Sequence, residues 1–254
     1  MDLLDISVSI VILAFFCEYI DSSLGMGYGT ALTPILLILG YTPLQIVPVV
    51  LLSELVTGLS AAFFHHRFKN VDFKFGNSDF KIAMLMAGCS IFGALIAVHV
   101  ALNVPPFYVK LYIGLLVTCM GILILVTLNR MFKFSWRKIA SLGLLAAFNK
   151  GISGGGYGPI VTGGQILSGI KSKSAIGITS LAEGLTCLVG VIIYLIYTDH
   201  TIDWGLAPSL VLGAFLSVPV AAYTVKKFNP ERLRAIVGIA TLILGFLTLG
   251  KLFL

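Results

Sequence analysis

The sequence predicts an all-α polytopic membrane protein built as an inverted structural repeat, each half a re-entrant helical hairpin followed by three transmembrane helices. Three observations carry that expectation. The chain of 254 residues is 58% hydrophobic and 11% charged, with a mean hydropathy of +1.02, outside the range of water-soluble domains. A glycine-rich motif occurs twice, Gly25-Met26-Gly27-Tyr28-Gly29 and Gly154-Gly155-Gly156-Tyr157-Gly158. The copies stay aligned without a gap through Thr33/Thr162, Gly40/Gly169, Leu52/Leu181, Glu54/Glu183, Thr57/Thr186 and Leu59/Leu188. Finally, lysine and arginine cluster in short loops between apolar runs, as cytoplasmic loops do.

The apolar runs are 4–21, 30–40, 44–63, 82–101, 108–128, 138–149, 159–169, 174–197, 206–224 and 233–253. A spanning helix needs about 20 apolar residues. Runs 30–40 and 159–169 are too short, each follows a glycine motif, and in the second copy the preceding arm is short as well. Basic residues mark loops 64–81 (Arg67, Lys69, Lys74, Lys81), 129–138 (Arg130, Lys133, Arg137, Lys138), 170–173 (Lys171, Lys173) and 225–234 (Lys226, Lys227, Arg232, Arg234) as cytoplasmic. Segments 1–5, 41–43 and 198–204, the last holding Asp199 and Asp203, carry no lysine or arginine and are expected outside.

Segment 138–169 begins and ends at cytoplasmic basic loops, so it must enter and leave on one side. It is read as a hairpin with its tip at Gly154–Gly158, and 9–40 is the matching hairpin from the outside. The first repeat is then 1–128, with helices 44–63, 82–101 and 108–128. The second is 129–254, with helices 174–197, 206–224 and 233–253. Three crossings per half invert the second copy, a common secondary-transporter plan. Both termini are expected outside. The later helices also align: Pro106, Lys110, Gly114 and Gly121 with Pro230, Arg234, Gly238 and Gly245, and Gly93-Ala94 with Gly213-Ala214. Glycines seven apart suit close helix contacts in lipid. The acidic start, Met1 to Asp5, lacks the basic region of a signal peptide, so the whole chain is expected in the mature protein.

Irregular backbone at membrane depth is tolerated only where protein or a wet cavity covers it. Two opposed glycine tips therefore mark a midplane site. The helices restarting near Thr30 and Pro159 aim their N-termini at the centre, and free N–H groups with the helix dipole favour an anion. The candidate substrate residues are Gly25, Gly27, Tyr28, Gly29, Thr30, Lys150, Gly154, Gly156, Tyr157, Gly158 and Gln165, with Asn149 a further donor; the bland alternative is glycine packing and interhelical bonding. Ionisable groups inside apolar runs are candidates in their own right. Glu54 and Glu183 are equivalent and read either as proton carriers or as carboxylates that cap the hairpin tips. Lys150, whose repeat partner is Asp21, is either a counter-ion for the substrate or a partner of Asp21 or Glu18.

The paired motifs, the following Thr33-Pro34 and Thr162-Gly163, the duplicated glutamates and the overall length together resemble the TauE/SafE family of sulfite exporters. The resemblance covers nearly the whole chain and departs from the usual small-residue tip at Met26. It implies a bacterial or archaeal cytoplasmic-membrane permease for sulfite or organosulfonates.

Rival readings have weaker support. Paired half-helices also suit a passive anion or small-solute channel. Gly151-Ile152-Ser153-Gly154 matches an intramembrane serine hydrolase motif, but the histidines, His65, His66, His99 and His200, lie in loops or near a helix end, where a facing base is not expected. The glycine-tyrosine-glycine triplets run antiparallel in inverted copies and cannot ring a channel axis. No P-loop is present. Cys17, Cys89, Cys119 and Cys187 fall in apolar segments without metal spacing, so no cofactor or metal is expected. The expected partners are a small anion, the bilayer and at most a second copy of the chain; the dispersed basic residues give no nucleic-acid signal.

Overall fold

A computed structural model describes residues 7–126, 135–197, 202–227 and 231–253. Among them lie ten helices and no strand: α1 (Val8–Leu24), α2 (Tyr28–Leu39), α3 (Pro43–Arg67), α4 (Ser78–Asn103), α5 (Pro106–Val126), α6 (Trp136–Ser153), α7 (Tyr157–Leu167), α8 (Ser172–Tyr197), α9 (Ala207–Lys227) and α10 (Glu231–Phe253). The helices α3, α4, α5, α8 and α9 are each long and apolar enough to cross a membrane.

Local chemistry sets the boundaries. Thr42 and Gln45 form a capping box at the start of α3, with Pro43 at its first position. Asn77 Oδ1 accepts the Asp79 N–H at 3.2 Å and starts α4. The left-handed glycines Gly25 and Gly154, both at φ 69°, end α1 and α6, a conformation that glycine adopts without strain. Two expectations on length change. The arm before the second tip is not short, because α6 continues through Asn149–Ser153 to 18 residues. Helix α3 runs past Phe63 to Arg67, so His65 belongs to a helix and is buried rather than lying in a loop.

The packing has a repeating logic. Helix α1 lies on α9 and α6 lies on α4; α3 also meets α9, and α8 meets α4; α3 crosses α8, and α5 runs along α10. Exchanging α1–α5 with α6–α10 maps each of these contacts onto another of them or onto itself. Small residues permit the crossings. A Cβ on Gly93 would strike α6 at the Leu144 carbonyl, and one on Gly213 would strike α1 at the Val11 carbonyl. Gly58 and Gly184 touch backbone to backbone where α3 crosses α8, while Gly114 and Gly121 receive Leu249 and Leu242 of α10. Large apolar side chains such as Phe16, Phe63, Ile196 and Phe246 point outward, as a lipid-facing surface requires. Residues 1–5, Asp199 and the C-terminal Leu254, expected outside, and the basic Arg130 and Lys133, expected in the cytoplasm, fall outside the described residues.

Candidate functional site

The two glycine tips meet at the centre. After Gly25 and Gly154 turn the chain, Gly27 and Gly156 lead into α2 and α7, which begin at Tyr28 and Tyr157. These starts are two residues earlier than expected, because the glycine before each tyrosine already serves as the N-cap. The tips are in direct backbone contact. A Cβ on Gly29 would be driven into the Gly154 carbonyl, and one on Gly158 into the Gly25 carbonyl. The Gly156 N–H donates to Thr30 Oγ1 across the junction at 3.0 Å. The structure thus brings Gly25, Gly27, Gly29, Thr30, Gly154, Gly156 and Gly158 to one locus.

Carboxylates of the chain itself stand at the α2 N-terminus. The Tyr28 N–H donates to Asp21 Oδ1 at 3.3 Å and the Gly29 N–H to Glu54 Oε1 at 3.2 Å. This is the arrangement that free N–H groups and the helix dipole favour. The other Glu54 oxygen is paired with Lys150 Nζ, which also holds Glu183 Oε1 at 2.7 Å. All three side chains are almost fully buried, Lys150 at 1% exposure. Lys150 is therefore bound to neither Asp21 nor Glu18. The Gly58–Gly184 contact brings α3 and α8 close enough for the repeat-related glutamates to share one ammonium from the end of α6. A cation buried this deeply is tolerable only when paired and hydrogen-bonded.

The remaining candidates divide. Tyr28 and Tyr157 are fully buried. The Tyr28 hydroxyl bonds Ser53 Oγ at 2.8 Å, and Tyr157 accepts from Thr186 Oγ1 at 3.4 Å. Both rings thus pack the tips against α3 and α8. Gln165 makes an interhelical bond, donating to Thr179 Oγ1 at 3.1 Å. Thr179 in turn bonds Thr162, whose hydroxyl reaches the Gly25 carbonyl at 2.6 Å. This chain of hydroxyls ties the first tip to α7 and α8. Asn149 accepts from the Tyr112 hydroxyl. Ser153 Oγ is taken up by the backbone, donating to the Asn149 and Gly155 carbonyls, and the buried His65 engages Ser22 and Asn70 instead.

A small opening, with room for about one water, lies beside the Lys150 ion pairs, lined by Glu18, Asp21, Glu54 and Glu183 with Thr57 and Ser180 among the hydroxyls. From the glutamates it extends along α3 to Ala61 and along α8 to Ser180, toward the ends that carry loops 64–81 and 170–173. No group of His, Cys, Asp and Glu among the described residues has the geometry to hold a metal ion. The sequence reading missed Thr57, Ser22, Thr162 and Thr179. The duplicated Thr57/Thr186 and Thr33/Thr162 pairs were the available signals for two of these; a lone serine or threonine in an apolar helix carries none.

Apolar spanning helices around a polar, glycine-lined centre define a multi-pass membrane transporter. The family model described as "Sulfite exporter TauE/SafE" matches residues 10–248, and the chain belongs to this family. Among its relatives, "Probable membrane transporter protein YtnM" of Bacillus subtilis (strain 168) is 29% identical over 236 residues, covering 87% of this chain and 75% of the relative. "Probable membrane transporter protein YjnA" of the same organism is 25% identical over 258 residues, covering 94% and 98%. No solved structure matches the chain significantly.

Proposed function

We propose that the chain is a secondary transporter, in the exporting direction, of a small sulfur-containing anion such as sulfite or an organosulfonate. It works in a bacterial or archaeal cytoplasmic membrane, with inverted halves and both termini outside. The observation that carries the reading is Lys150, a buried ammonium held by two repeat-related glutamates at the contact of two hairpin tips. Glu54 occupies both things an anion would want: the Lys150 ammonium and the Gly29 N–H. The glutamate is a stand-in for the substrate's anionic group. A proton arriving on Glu54 cancels its charge and weakens both bonds, so the ammonium and the amide become free for the substrate. Proton uptake and anion binding are then linked, and Glu183 holds Lys150 in place meanwhile. A dianion leaving with one proton carries net negative charge outward, along the membrane potential.

Direct backbone contact between the tips supports a carrier over a passive channel, because passage there requires the tips to part. The family's description supports the sulfur anion. The experiment is sulfite efflux from proteoliposomes with and without an imposed pH gradient, with Glu54→Gln, Glu183→Gln and Lys150→Met beside the wild type. Gradient-dependent efflux that both glutamine variants impair is expected. Flux indifferent to pH and to all three substitutions refutes the reading.

A further inference from the structure

Glu18 is a fourth buried carboxyl at the cavity and takes no part in the Lys150 knot. It is 1% exposed. Its oxygens are held by hydroxyls only, Ser22 Oγ donating at 2.6 Å and Thr57 Oγ1 at 3.2 Å. Both ion pairs among the described residues belong to Lys150. The surroundings of Glu18 are acidic on several sides. Cys17 and Asp21 lie on its own helix, Tyr28 on α2, Glu54 on α3 and Glu183 on α8. His65 of α3 reaches the same turn of α1 through the Ser22 carbonyl at 2.9 Å. The titratable residues of α9, Tyr223, Lys226 and Lys227, are confined to its last turns. Among the described residues no cation pairs with Glu18 to offset a lasting charge, which a buried site does not tolerate. A carboxyl that gains and loses a proton fits this position.

The geometry gives that proton a route. Glu54 and Thr57 are three residues apart on α3 and share a face, and Thr57 already donates to Glu18. Glu18 and Ser22 share a face of α1, and both line the cavity with Glu54. The repeat also shows an asymmetry. At the offset that relates Glu54 to Glu183, Glu18 corresponds to Ala147, so the second half has no such carboxyl. We infer that Glu18 is the proton-transfer residue between Glu54 and the face of the protein bearing loop 64–81. In the step, the Glu18 carboxyl gives up a proton, the Glu54 carboxylate takes it, and the negative charge passes the other way. The inference rests on the proposed proton coupling of Glu54.

The test uses Glu18→Gln and Glu18→Ala in the full chain, the latter supplying the residue that the second half has. Sulfite exchange between equal concentrations needs no net proton movement, whereas efflux driven by a pH gradient does. Both variants should keep exchange within about twofold, while gradient-driven efflux falls by about a hundredfold, the low end of what a positioned proton-transfer group contributes. In parallel, infrared difference spectra across a pH step, recorded without substrate, should lose one protonated-carboxyl band in both variants. Wild-type gradient-driven efflux in the variants overturns the proposal. So does equal loss of exchange and net efflux, which marks a structural role. If the wild-type protein moves no sulfite at all, the substrate reading fails instead. The infrared band then decides the matter: its loss in both variants supports proton binding at Glu18, and its persistence overturns it.

Discussion

Replacing Lys150 with methionine keeps the length of the side chain and removes its charge. Among the described residues, its ammonium is the one cation within ion-pair reach of Glu54 and Glu183. Breaking a buried pair by removing one partner costs about 3–5 kcal/mol, because the other charge stays behind unpaired. For a chain of this size, 1 kcal/mol moves a melting temperature by about 2–4 °C, so Lys150→Met should lower it by roughly 10 °C in detergent at neutral pH. The loss should shrink as the pH falls, since protons then neutralise the stranded carboxylates. Adding Glu54→Gln and Glu183→Gln to Lys150→Met removes the stranded charge and should recover most of the lost stability. Thermal unfolding of purified wild type, single and triple variants measures this. A single variant that melts within a degree or two of wild type, or a triple variant no better than the single, refutes the account of the knot.

Other expectations follow from neighbouring geometry. Thr162→Val removes the hydroxyl that bonds the Gly25 carbonyl and should cost about 1–3 kcal/mol. Thr33→Val should be neutral or better, because the buried Thr33 Oγ1 has no partner; equal losses in the two would mean that the hydroxyl chain does not fasten the tip. Gly29→Ala drives a methyl into the Gly154 carbonyl and should cost at least 1–3 kcal/mol, as overpacking does. Gly163→Ala meets nothing within 4 Å and serves as the silent control in the same melts. Single cysteines at Tyr41 and Lys171, in a background without native cysteines, should react with impermeant reagents from opposite sides of the membrane. Labelling from one side contradicts the inverted arrangement.

Much of this organisation could be read from the sequence because each feature is local. Apolar run length fixes the helices, and paired glycines mark both breaks within a residue or two. The duplicated Glu54 and Glu183 stand out because a carboxyl in an apolar run is costly. What could not be read was which charges meet. Lys150 follows an apolar run that aligns with the one holding Glu18 and precedes Asp21, so the repeat offered those acids as partners. Its true partners depend on the α3–α8 crossing, a tertiary fact set by Gly58 and Gly184. Gln165 was chosen for its donor groups, yet its helix face turns to Thr179 of α8, and periodicity in a uniformly apolar segment cannot reveal that. His65 was misplaced because α3 continues past the apolar run through His65, His66 and Arg67, three residues that no longer look apolar, held by burial of the ring against Ser22 and Asn70.

The central claim is that a substrate anion displaces a glutamate from Lys150 as that glutamate takes up a proton. Calorimetric titration of the purified protein with thiosulfate or sulfoacetate, neither of which titrates near neutral pH, tests this in two buffers of different ionisation heat. The account predicts that the apparent binding heat differs between buffers in the sense of proton uptake, and that Lys150→Met abolishes binding. Binding with no buffer dependence, or binding that survives loss of the ammonium, would contradict it.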